Sequence, residues 1–297
     1  MSLETFEKTT GLLTAKDGTP LYYEVRGDGA PVVFIYGIAC VMNHWHHQIR
    51  HFSGSMKTVL FDLRGHHKSQ PLVTPDHLTM KDLGDDLIQV IEGLNLGPAH
   101  VISHSFGAPV ILEGYALRPD LFRSICFING FAKNPIKGMF GLDIVEPFYQ
   151  YVNTAYEQNP VLWSTLWRMA IDNPVAMRLA ALAGGFNLHL THFKDIEVYA
   201  RGVGQMDLRI FLRLFDELMK FNGDSILPTI NVPALIISGE NDKVTPRKFQ
   251  DDLRDLIPGA EFMLVPYGSH CTQLDFPDYV NMKLSEFWTA TDQRRGA

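Results

Sequence analysis

Cysteine is scarce in this chain of 297 residues: Cys40, Cys126 and Cys271 stand far apart, with no C-x-x-C spacing. That excludes the sequence signature of a thiolate zinc site or a dithiol redox pair, and a reduced, cytoplasmic protein is expected. Clustered positive charge is missing too. The 26 Lys and Arg are outnumbered by 33 Asp and Glu, for a formal charge of −7, and cations run no further than pairs such as Arg294-Arg295. A nucleic-acid or anionic-membrane partner needs a basic patch, so neither is expected. Long apolar runs are also lacking: PVVFIYGIACVM, residues 31–42, falls short of the ~18 residues of a spanning helix. The stretch MSLETFEKTTG has neither a basic n-region nor an apolar h-region, so neither secretion nor membrane insertion is expected.

What the chain does have is a large apolar fraction, 46% against 20% charged, enough to bury the core of one α/β domain or of a domain carrying an insertion. LLTAKDGTPLYYEV reads as a hairpin turning at Asp17-Gly18. VVFIYG, TVLFDLRG, HVISHS and SICFING read as successive buried strands, with helical patterns between them, the signature of a mainly parallel sheet covered on both faces. In one of those patterns Leu83, Leu87, Val90, Ile91 and Leu94 share a helical face, and Thr79 with Asp82 forms a capping box at its start. From about 133 to 225 the pattern turns helical, rich in aromatics and Met, before VPALIISGE, AEFMLVP and a terminal helix through FPDYVNMKLSEFWTA. A sheet domain interrupted by a helical insertion is expected.

The stretch VISHSFGAPV, residues 101–110, ends a strand in polar residues and turns sharply through Gly107 and Pro109. A serine hydroxyl is a poor nucleophile at neutral pH. It needs a histidine to take its proton, a carboxylate to orient that histidine, and backbone N–H donors for the oxyanion. At a strand-to-helix turn the apex residue is exposed, and its neighbours two positions either side must be small. Ser105 occupies the apex, flanked by Ser103 and Gly107, where the usual motif has glycine at both. Ser103 is expected to pack or hydrogen-bond within the strand and His104 to point to the opposite face.

These residues resemble the nucleophile elbow of the α/β-hydrolase superfamily, in its serine hydrolase branch with a helical cap. LRPDLFRSICFING is similar to the helix end and strand that follow the elbow, FDLRGHHKS to the family's D-x-R-G-x-x-x-S stretch, and YGIACVMNHWHHQI to the oxyanion loop, with Trp45 and Gln48 at the usual spacing. The resemblance implies an α/β fold with a mostly parallel eight-stranded sheet flanked by helices, a core over residues 1–132 and 226–297, and a cap over 133–225. It places the acid at Asp242 in IISGENDKVTP, with Glu240 as a substitute, and the general base at His270 in VPYGSHCTQLDFP. The order Ser105, Asp242, His270 is the α/β-hydrolase order. By the same resemblance the oxyanion donors are the backbone N–H groups of Ile38 and Phe106. Tyr36 stands where the family has histidine, which draws attention to it in substrate choice.

His44, His46 and His47 invite a metal reading, but the run supplies no further ligands, so no metal is expected and a solvated helix start is. His66 and His67 read as loop residues, Asp62 and Arg64 as structural, and Cys271 as a small buried neighbour of His270. Phe148, Trp163, Trp167, Phe186, Phe211, Phe215 and Met219 read mostly as the cap's own core. Some of them, Trp163 and Trp167 among the candidates, would face the sheet domain and bind a medium-sized apolar small molecule. The expectation is a cofactor-free serine hydrolase acting on a carboxylic ester or lactone through an acyl-enzyme. The alternatives are a carbon–carbon bond hydrolase of a ring-cleavage product, because Ser-Phe-Gly also resembles that branch, and a slow-turnover ligand-sensing protein.

Overall fold

Short runs of Val, Ile, Leu and Phe form the strands of the protein, seen here in a computed structural model that describes residues 7–74, 77–171, 173, 175, 179, 182 and 185–296. They are β1 (Lys8–Thr14), β2 (Pro20–Arg26), β3 (Ala30–Ile35), β4 (Met56–Phe61), β5 (Ala99–His104), β6 (Phe122–Ile128), β7 (Ala234–Gly239) and β8 (Glu261–Val265). Together they build one eight-stranded sheet in the order β1-β2-β4-β3-β5-β6-β7-β8. β1 and β2 form the expected hairpin, β2 pairs antiparallel with β4, and β3 to β8 are mutually parallel. Every residue of β5 and of β7 is buried, as befits strands covered on both faces.

The flanking helices are α1 (His46–Phe52), α2 (Met80–Gly93), α3 (Gly107–Leu117), α8 (Lys248–Leu256), the single turn α9 (Thr272–Asp275) and α10 (Pro277–Gly296); α4 to α7 lie between β6 and β7. α2 begins at the expected capping box, in which the Thr79 and Asp82 side chains each accept from the other's backbone N–H. Its apolar stripe is buried at Leu83, Leu87, Val90 and Ile91.

Between β6 and β7 the chain runs through α4 (Val145–Gln158), α5 (Pro160–Ile171), α6 (Phe193–Gln205) and α7 (Leu208–Lys220). An antiparallel bridge between Lys133 and Asn222 joins the two ends of this excursion. Asp207 caps α7 by accepting from Arg209 N–H at 2.8 Å. Leu214 and Leu218 of that helix enter the main core beneath the sheet's helices, whereas Leu208 and Leu212 pack with Tyr149 of α4. Among the described residues no helix is long and apolar enough to cross a membrane.

β3 lies between β4 and β5, so the connections leaving β3 and β5 run to opposite sides. Such a reversal opens a crevice at the carboxyl ends of the strands, which is where ligands bind in α/β sheets. Ser105 follows directly on β5 at that edge.

Candidate active site

β5 ends at His104 and α3 starts at Gly107, so the chain reverses within two residues. Ser105 takes the strain, with φ at 51° in the left-handed region. A non-glycine residue held there costs on the order of 1–3 kcal/mol and persists only where its surroundings enforce it. The turn brings helix and strand so close that a Cβ on Gly107 would sit 2.9 Å from the carbonyl oxygen of Ile35 and 2.9 Å from the Cβ of Ser103. Ser103 tolerates its own Cβ, but its hydroxyl is fully buried and has no hydrogen-bond partner among the described residues.

Two further side chains meet Ser105. His270, on the loop after β8, places Nε2 2.9 Å from Ser105 Oγ, and its Nδ1 lies 2.9 Å from Asp242 Oδ2. A carboxylate only accepts, so Nδ1 carries the proton and Nε2 offers a lone pair to the serine hydroxyl. Asp242, on the loop after β7, is held on its other oxygen by the Val244 and Thr245 N–H groups at 2.8 and 2.9 Å. The Thr245 hydroxyl donates to Oδ2 at 2.7 Å. Glu240 is exposed and accepts from Tyr267 N–H at 3.0 Å, away from the histidine. A hydroxyl, an imidazole and a carboxylate linked in this way can move a proton off the serine as it attacks.

Above this trio lies a cavity of about 930 Å³. Ile38, Ser105 and His270 form part of its floor, and Trp163, Trp167 and Phe211 part of its roof. No Asp, Glu, Lys or Arg is among the described residues that line it. Phe148 and Phe215 also line it, so much of what reads in sequence as the insertion's own core faces this space instead. The reason is that α4, α5 and α7 lie over the sheet's carboxyl edge and turn their aromatic faces to it.

The α/β hydrolase fold model matches residues 30–277. The chain belongs to the α/β-hydrolase fold family. Among similar proteins is one named "Putative carbamate hydrolase RutD" in Azorhizobium caulinodans, 24% identical over 279 residues that span 92% of this chain and 96% of its own. The esterase EaEST of Exiguobacterium antarcticum matches with a TM-score of 0.77 at 18% identity, over 94% of this chain and 99% of that one. The enol-lactonase of Burkholderia xenovorans matches with a TM-score of 0.68 at 17% identity, over 94% of this chain and all of that one. At these identities the two structural likenesses speak to the fold.

This α/β-hydrolase carries supports around the trio that its sequence did not reveal. The carbonyl of His270 accepts from His104 Nε2 at 2.8 Å and from Asn129 Nδ2 at 2.7 Å, while Asn129 Oδ1 accepts from Gly239 N–H at 2.8 Å. The ends of β5 and β6 thus hold the histidine's own backbone, and the end of β7 orients the Asn129 amide that does so. His66, expected as an ordinary loop residue, is fully buried. Its Nδ1 donates to Arg64 O at 3.2 Å and its Nε2 accepts from Ala39 N–H at 3.2 Å. His67 Nε2 donates to Cys40 O at 2.8 Å. These two histidines brace the Gly37–Cys40 loop, in which Ala39 has φ at 57°. The N–H groups of Ile38 in that loop and of Phe106 after the elbow have no partner among the described residues.

Two sequence expectations are corrected. Tyr36 does not line the cavity: it is fully buried, donates to Asp62 Oδ1 at 3.0 Å and accepts from Leu63 N–H at 3.0 Å, so it ties β3 to the loop after β4. The start of α1 is not a solvated face: His44 is buried, and His46 and His47 face Asp195 of α6. Burial pushes His44 and His66 down to about 3, and His104 well below the usual imidazole range. Gln48, by contrast, keeps a purely structural position, donating to Asn281 Oδ1 at 3.1 Å, and Arg64 pairs with both oxygens of Asp86 at 2.6 Å.

Proposed function

We propose that the protein is a cofactor-free serine hydrolase that cleaves a neutral, largely apolar carboxylic ester or lactone through an acyl-enzyme. The observation that carries this reading is the relay from Ser105 through His270 to Asp242, hydrogen-bonded at the floor of an apolar cavity with no charged residue among its described lining. In the proposed reaction His270 Nε2 takes the proton of Ser105 as Oγ adds to the acyl carbon. The Ile38 and Phe106 N–H groups receive the oxyanion, each such donor contributing roughly 3–4 kcal/mol to transition-state binding. His270 returns the proton to the leaving alkoxide, then deprotonates a water that adds to the acyl carbon and passes that proton to Ser105 Oγ as the acyl–Oγ bond breaks and the acid is released. Asp242 stays ionised throughout and holds the imidazole in the working tautomer.

In this reading residues 133–225 act as a cap over a core made of 1–132 and 226–297, and Trp163 and Trp167 contact the acyl or alcohol portion of the substrate. The uncharged lining argues against ring-cleavage products, which carry a carboxylate that a buried site must neutralise. A carbamate presents the same reacting carbonyl and belongs in the substrate panel.

The test is covalent labelling by a fluorophosphonate probe together with hydrolysis of neutral esters, lactones and carbamates of graded size. Wild type is expected to label and turn over; Ser105→Ala and His270→Ala are expected to lose both, with turnover down at least ~10³-fold. Labelling that persists in Ser105→Ala, or maps to Ser103, overturns the assignment. Negligible steady-state hydrolysis with ligand-dependent capture of a partner would favour a sensing protein on the same scaffold.

A further inference from the structure

We propose that His46, His47 and Asp195 form a zinc site that staples the cap helix α6 to the core helix α1. His46 and His47 open α1, and Asp195 lies in the first turn of α6, 149 and 148 residues further along the sequence, yet one ligand atom from each lies within 4.8 Å of the others.

The distances favour an ion over a hydrogen bond. His46 Nε2 is 3.6 Å from Asp195 Oδ1 and His47 Nε2 is 3.9 Å from Asp195 Oδ2. Hydrogen bonds between such groups run about 2.7–3.2 Å. Two ligands around a tetrahedral zinc with bonds of ~2.0–2.1 Å stand about 3.4 Å apart, within a few tenths of an ångström of what is seen. The tautomer is also set as a metal site needs. His46 Nδ1 lies 2.9 Å from the carbonyl of Asn43, which can only accept, so Nδ1 carries the proton and Nε2 turns a lone pair toward the carboxylate. Two acceptors facing each other are reconciled by a proton or a cation between them, and 3.6 Å is longer than a proton-sharing hydrogen bond. His47 Nε2, buried and with no hydrogen-bond partner among the described residues, converges on the same point, its ring centroid 3.8 Å from that of His46.

Two imidazoles and one carboxylate suit zinc, with water completing the shell; the oxygen-preferring Mg²⁺ and Ca²⁺ are poorly matched to this donor set. The side chains are 10–18% exposed, which leaves the ion a path in from solvent. The ion would act at a distance from the chemistry. His44, two residues before His46, has its ring 4.7 Å from that of His104, the immediate neighbour of Ser105. Zinc would therefore hold the cap down over the cavity and steady the loop that precedes α1.

The experiment uses full-length, tag-free protein stripped by a chelator. Zinc titration by calorimetry is expected to give one ion per chain, with a rise in melting temperature that Mg²⁺ and Ca²⁺ do not reproduce. His47→Ala and Asp195→Ala should each weaken uptake at least tenfold, while Cys40→Ala should leave it unchanged. Circular dichroism of the stripped variants checks that they fold; if either does not, His46→Gln and Asp195→Asn take their place. X-ray absorption on the loaded wild type should show nitrogen and oxygen ligands without sulfur. No saturable zinc uptake, or uptake indifferent to these substitutions, overturns the proposal. So does sulfur in the shell, which would put the ion in the separate buried group of Cys40, His44 and His104.

Discussion

The main-chain N–H of His270 donates to the carbonyl of Gly185 at 3.2 Å, so the proposed base is held by the segment that leads into α6. Beside it Thr191 donates to Asp275 Oδ1 at 2.6 Å, and Asp275 in turn accepts from Ser269 N–H at 2.7 Å. Gly185 has φ at +72°, and a Cβ there would meet Val244 Cγ2 at 2.5 Å and His270 Cβ at 2.6 Å. Gly185→Ala should therefore displace the imidazole. A shift of about 1 Å in a reacting group can lower turnover as much as 10²-fold, so kcat is expected to fall roughly 10- to 100-fold with KM changed far less. Steady-state kinetics on an active ester checks this; an unchanged kcat would detach the segment from the base.

Acid should weaken the protein through its buried histidines. His66 is held down to about 3 by burial against an unfolded value near 6.5, so below about 6.5 the unfolded chain binds a proton that the folded chain refuses. Its contribution is present above that value and is lost as pH falls toward 3, at about 1.4 kcal/mol per pH unit. His66→Gln, which can keep a donor and an acceptor, should flatten the slope of stability against pH by about one proton between pH 6 and 4.5. Urea unfolding at a series of pH values measures it. A slope equal to wild type would mean that His66 titrates freely in the native state.

Ser103 carries a fully buried hydroxyl with no partner among the described residues. Leaving such a group unpaired costs about 1–3 kcal/mol, so Ser103→Ala, which keeps the Cβ, should raise stability by up to that amount with turnover largely intact. Ser103→Gly matches the usual elbow motif but adds backbone freedom in a strand, roughly 0.5–1 kcal/mol, and should come out near neutral. Urea midpoints for the three proteins decide it; a marked loss in Ser103→Ala would reveal a bonding role for the hydroxyl.

The elements that sequence expressed best are those built from local rules. The Asp17-Gly18 hairpin, the capping box at Thr79 and Asp82, and the succession of buried strands along the chain all depend on neighbours within a few positions or on simple periodicity. The elbow belongs with them, because a strand, a small residue, a serine and a helix must follow one another directly. The misreadings lie where a side chain's role depends on a distant partner. Tyr36 looked like a substrate contact until Asp62 and Leu63 claimed its hydroxyl. His66 looked like loop filling until Ala39 turned its N–H to it. Phe148 and Phe215 looked like the insertion's own packing until it laid them over an open space.

By itself the sequence determined the class of sheet, the place of Ser105 at a strained turn, and an order of acid and base along the chain. All of these follow from contiguous residues, whose backbone preferences act over a turn or a strand. Tertiary structure alone decided that His270 reaches both Ser105 and Asp242, that two strand ends hold its carbonyl, and that the cavity above them is without charge among its described lining residues. Apart from the Asp242–His270 pair, 28 positions apart, those relations join residues more than a hundred positions apart. They exist only because burial of the sheet and the overlying helices brings their ends together, and no local pattern carries that information.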